Sequence, residues 1–254
     1  MNKPSTFEGG KTWWLQLSPG EISENAALAI ELDIPSKVLL KEMSGVRTLI
    51  DRGEYRVYRG CFEGRDVSVV YHGSGQFSMI GAIEELKMLG VKKLVRIGSC
   101  GAISEKVHVG DVLLPEAAVR DDRVMLDYVP AEYPAVADRQ LLNALYRAAE
   151  EEHVPFHGGI SMSSATFYPG SGYPTAGGVF DETPYQRAEM WKKLDILGTD
   201  IETSSLLVLS RLFGMQGASV LGASNRVKTG EGGYLTDERV RQMVRIGLRG
   251  LTSD

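Results

Sequence analysis

Cysteine is scarce, with only Cys61 and Cys100 in 254 residues. A disulfide framework is therefore excluded. The two do not form a metal-type cluster with the four histidines, and no metal site is expected, because structural zinc needs thiolates and imidazoles at short spacing. Positive charge is also in deficit, with 28 Lys and Arg against 33 Asp and Glu and no long basic block, which leaves no concentrated phosphate-neutralising surface for nucleic acid. No apolar run approaches the roughly 20 residues that span a bilayer, so no membrane partner is expected. Residues 1–11 lack the charged-then-apolar order of a signal peptide, which makes the cytoplasm the expected compartment. Repeats and low-complexity stretches are absent.

What is present is an ordinary globular composition, 43% hydrophobic and 24% charged. The length suits one large α/β domain over 1–254, with 1–20 as an N-terminal extension. Short β-branched runs alternate with amphipathic ones. Val67–Tyr71 reads as a strand running into Gly73 and Gly75. Ser78–Leu89 follows as a helix with Met79, Ala82, Ile83 and Leu86 on one face and Gly90 at its end. Lys93–Ile97 is the next strand. Strand, glycine turn, helix and strand make a βαβ unit, and hence an at least partly parallel sheet with ligands at the carboxyl ends of its strands. Gly110–Leu114 and Ala218–Ala223 are further strands. Asp138 caps a helix carrying Leu141, Leu142, Leu145 and Ala149. Helices are also expected over Thr203–Phe213 and Asp237–Leu248. Tyr168–Tyr185, rich in Gly, Pro, Ser and Thr, reads as a long loop, and loops of this length inside compact domains are usually functional or mobile.

Three motifs are suited to chemistry. The run His72–Met79 (HGSGQFSM) places two glycines between a strand and a helix, where backbone N–H groups can face an anion or simply make a tight turn. Arg96–Gly101 (RIGSCG) ends a strand with a guanidinium and a hydroxyl, a pair suited to a phosphate oxygen or a ribose hydroxyl. Asp200 and Glu202 precede an apolar helix, where a carboxylate either caps the helix or accepts hydrogen bonds from a sugar diol.

Taken together, the segments from Gly73 through Glu84–Leu86, Arg96–Ile103, Val109–Val112 and Ala118–Asp122 resemble the nucleoside phosphorylase family. So do Tyr133–Asp138, Ser163–Gly170, Asp200–Glu202 and Asn225–Arg226. Their order and spacing fit over most of residues 26–250. Thr166–Gly170 (TFYPG) and Asn225–Arg226 are closest to its uridine phosphorylase branch, while Gly98–Gly101 and Val119–Arg123 are also similar to the hexameric purine enzymes. The resemblance implies a single-domain, three-layer α/β/α fold with a mixed central sheet, in a homodimer or homohexamer with sites at dimer interfaces. It also implies cleavage of the N-glycosidic bond of a nucleoside by inorganic phosphate as co-substrate, with no cofactor, giving free base and ribose 1-phosphate. By this similarity Arg96 and Ser99 contact phosphate, Glu202 holds the 2′ and 3′ hydroxyls, and Ile201 meets the apolar side of the sugar. Phe167 meets the base, Cys100 and Gly101 line the base side, Asn225 reads the base edge, and Gly73 and Arg226 complete the substrate contacts.

The sequence also departs from the family. Leu32–Lys37 stands where the first phosphate-binding segment belongs: a glycine is replaced by Asp33 and an arginine by Lys37, which lacks the planar fork. A second family arginine, lent across the dimer interface, falls on Gly53, with Arg52 beside it as a substitute. The glutamine and arginine that read a pyrimidine are replaced by Ser171 and Tyr173, and the acidic residue of the purine enzymes by Asn225. Two alternatives to phosphorolysis follow, a nucleoside ribohydrolase in which Asp33 activates water, and a nucleoside-binding protein without turnover.

Overall fold

The computed structural model describes residues 10–30, 36–179, 182–227, 229, 231–233 and 235–253. At its centre stand runs of apolar residues buried on both faces, as a sheet covered by helices requires. In β5 (Lys93–Ala102), for example, Leu94, Val95 and Ile97 are all fully buried although successive side chains point to opposite faces. The expected βαβ unit is present as β4 (Arg65–His72), α2 (Gln76–Met88) and β5. Met79, Ala82, Ile83 and Leu86 are the buried face of α2, as their spacing predicts. Its two strands are not neighbours, since β1 (Asn25–Ile30) lies between them and pairs parallel with both.

Two further strands, β2 (Ser44–Arg52) and β3 (Tyr55–Phe62), extend one edge as an antiparallel hairpin on β4. The other edge curls. There β10 (Gln216–Arg226) pairs parallel with β5 and antiparallel with β6 (Val112–Asp121). Next to β6 runs β8 (Phe156–Ser164), which pairs with β9 (Gly198–Asp200), and β9 returns to β5. The sheet is thus mixed, as expected, and five of its strands close into a ring. The short β7 (Ala135–Val136) hangs on β6.

Helices cover both faces. A side chain at Gly217 of β10 would strike Ser210 of α5 (Thr203–Leu212), whereas one at Gly222 would strike Met243 of α6 (Asp237–Thr252). Five positions apart on a strand means opposite faces, so α5 and α6 sandwich β10. Against α6 lies α3 (Arg139–Glu151), capped by Asp138, whose carboxylate accepts the Leu141 N–H at 2.9 Å. Two further α-helices are α1 (Ser36–Leu39) and α4 (Thr183–Lys193). The N-terminal segment packs on the body, with Leu15 and Leu17 buried and both carboxylate oxygens of Glu85 accepting backbone N–H groups, Trp14 at 2.6 Å and Leu15 at 2.7 Å.

Candidate active site

The carboxyl ends of the parallel strands converge on one cleft of about 380 Å³. Ile30 ends β1, Ser74 follows β4, Ser99–Gly101 end β5, and Ser224 and Asn225 come from the end of β10. Register explains the gathering. Asn225 pairs with Gly101 across β10 and β5, and Gly101 pairs with Thr199 of β9. A register shift between Ala223 and Asn225 leaves Ser224 as the extra residue of a bulge, which re-aims the strand end toward the cleft.

One wall is charged. Arg96 is 3% exposed and lies between two carboxylates, with Nη1 3.2 Å from Asp200 Oδ2 and Nη2 donating to Glu202 Oε2 at 2.5 Å. The second Glu202 oxygen accepts the Gly75 N–H at 3.1 Å. Gly75 stands at φ 93°, where a side chain would be strained, so glycine is what lets this amide face the carboxylate. Burial raises the Glu202 carboxyl above its ordinary value, against the pull of Arg96, with Asp200 adding to the rise.

Asp200 is saturated differently. It accepts the Ser163 hydroxyl at 2.8 Å, the Thr203 hydroxyl at 2.6 Å and the Thr203 N–H at 3.1 Å. The capping role that a carboxylate before α5 suggests therefore belongs to Asp200, and Glu202 turns to Arg96 and the cleft.

The other wall is aromatic and neutral. Phe167 stacks on Tyr173, with ring centroids 5.3 Å apart and planes inclined by 17°. Asn225 Nδ2 donates to the Tyr173 hydroxyl, and the Ser224 hydroxyl reaches Asn225 Oδ1 at 3.2 Å. Ser171, paired with Ser164 at 3.0 Å, lines the same end. Burial raises the Tyr173 phenol above its ordinary value, so it stays protonated at neutral pH.

Of the residues the sequence nominates, Arg96, Ser99, Cys100, Gly101, Phe167, Ile201, Glu202 and Asn225 all line this cleft. Three do not. The Gly73 N–H is taken by the Ser78 hydroxyl at 2.8 Å, so this amide serves the turn. Arg226 donates to the Ser104 and Val107 carbonyls and ties down the loop after β5. Arg52 sits on the β2–β3 hairpin and donates to the Trp13 carbonyl at 3.4 Å. Asp33 lies outside the described residues, as does the side chain of Lys37. Thr199 and Ser224 also line the cleft, and motif reading does not nominate them. A polar residue at the end of each neighbouring strand is the signal that finds them, once the pairing is known. Among the described residues, no group of three or more His, Cys, Asp or Glu side chains is placed to hold a metal.

The Phosphorylase superfamily profile matches residues 22–249. The chain belongs to that superfamily. It is 32% identical over 226 residues to a uridine phosphorylase of Thermococcus kodakarensis, covering 89% of this chain and 81% of that one. Among solved structures, a uridine phosphorylase of Vibrio fischeri superposes with a TM-score of 0.82 at 28% identity, covering 96% of this chain and 98% of that one. A purine nucleoside phosphorylase of Toxoplasma gondii, solved with immucillin-H, gives 0.82 at 25% identity over 95% of both chains. The superfamily fold is therefore shared over nearly the whole length.

Within electrostatic reach of Arg96 lies His72, 1% exposed. Its Nδ1 hydrogen-bonds the Gly73 carbonyl at 2.7 Å, which makes Nδ1 the donor and leaves Nε2 an acceptor with no partner among the described residues. Burial, helped by the nearby Arg96 charge and opposed by the Gly73 bond, holds its pKa at about 4. A histidine with a folded-state pKa below its unfolded value disfavours the fold once protons are offered. Stability contributed by neutral His72 is thus intact above about pH 6.5 and declines as pH falls toward 4, by about 3 kcal/mol in all. Denaturant titrations at pH 7 and pH 4.5 should show this loss in the parent and a smaller one in His72→Leu.

Proposed function

We propose that this cleft binds a nucleoside beside an inorganic phosphate ion and that the protein is a nucleoside phosphorylase, a pentosyltransferase. The observation that carries the reading is the division of one cleft into a buried Arg96–Glu202 wall and a neutral Phe167–Tyr173–Asn225 wall. Arg96 and Ser99 hold the phosphate, Glu202 the 2′ and 3′ hydroxyls, and Ile201 the apolar side of the ribose. Phe167 lies against the base, Cys100 and Gly101 flank it, and Asn225 reads its edge.

As the bond from C1′ to the base nitrogen lengthens, its electron pair leaves with the base and positive charge grows on the sugar. A phosphate oxygen held next to C1′ stabilises that charge and then forms the new C1′–O bond, giving ribose 1-phosphate. Asn225 cannot protonate the departing base as a carboxylic acid does, so the base leaves with hydrogen bonds from neutral groups. Each relative reported above is a phosphorylase, and none supports the hydrolase alternative. The uridine phosphorylase similarity makes uridine the first substrate to test and inosine the second. In crystals soaked with uridine and phosphate, ordered anion density against Arg96 and Ser99 is expected, and density elsewhere would remove the assignment.

The active form is a homo-oligomer, at least a dimer. A second cleft of about 640 Å³ is lined by Trp13, Trp14, Phe77, Ile80, Val124 and Tyr128. Phe77 is 78% exposed in the first turn of α2, two residues after the Gly75 that holds Glu202. Aromatic surface of this kind is what an interface between copies buries, and it abuts the catalytic turn. Arg52, which donates to the Trp13 carbonyl beside this face, is assigned to a neighbour's site rather than its own. Light scattering should give a dimer or a hexamer, and Phe77→Asp should shift it toward monomer with loss of activity. A fully active monomeric parent would contradict this.

A further inference from the structure

Both ligands of the proposed reaction need groups that already hold each other. Glu202 Oε2 and Arg96 Nη2 are 2.5 Å apart, and their side chains are 0% and 3% exposed. The assigned roles send the phosphate to Arg96 and the sugar hydroxyls to Glu202. Either ligand arriving alone weakens this contact and leaves the opposite member of a desolvated pair undercompensated. Both arriving together supply each member with a new partner, the anion for the guanidinium and the diol for the carboxylate.

We propose that the Glu202 carboxylate acts as a built-in competitor for the anion site, and that partner exchange at Arg96 makes phosphate and nucleoside bind synergistically. The surroundings hold the rest of the pair in place. Asp200 stays 3.2 Å from Arg96 Nη1 while its oxygens are fixed by Ser163 and Thr203, so the guanidinium keeps one anionic partner and its place in the cleft. The Gly75 N–H likewise keeps Glu202 Oε1, leaving Oε2 as the oxygen released to the sugar. This inference rests on the phosphorylase reading of the cleft.

Sulfate separates binding from chemistry, because it mimics the phosphate dianion without offering the productive nucleophile. Calorimetric titration of uridine into the whole enzyme, with and without saturating sulfate, should show affinity rising by about tenfold or more, and sulfate affinity should rise by the same factor when uridine is present. Inosine replaces uridine if it alone is turned over. Glu202→Gln keeps the shape and removes the competing charge. It should bind sulfate several-fold more tightly than the parent, bind nucleoside more weakly, and lose the synergy. Because removing a nearby negative charge favours an anion in any case, the loss of synergy is the readout that a merely structural Glu202 would not give. Should sulfate and nucleoside each bind the parent with no mutual effect, the exchange is overturned while the phosphorylase reading stands. Should neither bind at the cleft, that reading falls and the exchange with it.

Discussion

Replacing Glu202 by alanine is expected to lower kcat/KM for the nucleoside by about two to four orders of magnitude, with the remaining protein folded. Two sugar hydroxyls lose a charged acceptor, at roughly 1.5–3 kcal/mol each, and the loss is felt in the transition state where the sugar is held most tightly. The fold should survive because the structural duties before α5 fall to Asp200, which accepts the Thr203 N–H and hydroxyl and retains Arg96. Steady-state kinetics together with thermal melting separates the outcomes. A variant that melts early yet turns over normally in its folded fraction would assign Glu202 to the helix end instead.

The second large effect is on stability. Arg96→Met is expected to destabilise the protein by about 3–5 kcal/mol at pH 8 and to abolish phosphate-dependent turnover, because Asp200 and Glu202 are left buried without their cation. The sign of the pH dependence follows. With Arg96 gone, the main pull against the burial that raises the Glu202 carboxyl is lost, so the folded variant takes up a proton there more readily than its unfolded chain. Its stability deficit should shrink as pH falls from 8 toward 5 and the Glu202 carboxyl becomes neutral. Guanidinium titrations at the two pH values measure this directly. A deficit that stays constant with pH would mean that the carboxylates relax to solvent when Arg96 is absent.

How much of this could be read beforehand differs between the fold and the site. The β4–α2–β5 unit was legible because a β-branched run, two glycines and a helical apolar face follow one another without interruption. The Asp138 cap was equally plain. The β2–β3 hairpin was not, since β2 is exposed along most of its length and carries no alternating apolar face. In β8 the glycines and serines conceal a strand whose partners on both sides supply its hydrogen bonds. Part of α4 falls within the stretch that composition assigns to a loop, because Gly and Pro precede it closely. Closure of the ring through β5 and β10 depends on pairing distant in sequence.

That closure also decides what the motifs missed. Arg96, Ser99 and Glu202 could be nominated through family resemblance, but the placement of Thr199 and Asn225 opposite Gly101 is a matter of register. Conversely, the family resemblance nominates Arg226 together with Asn225, yet adjacent residues on a strand face opposite ways, and its guanidinium serves the Ser104–Val107 loop. Gly73 and Gly75 share one motif and divide its two readings, the first serving the turn and the second holding the catalytic-wall carboxylate.

Whether phosphate is the nucleophile is tested most directly by incubating the enzyme with uridine, and separately inosine, at graded phosphate concentrations and separating bases and sugars by chromatography. Base release is expected to rise with phosphate to saturation, with ribose 1-phosphate formed in equal amount to the base. Free ribose appearing at a rate independent of phosphate would contradict phosphorolysis and assign the bond cleavage to water.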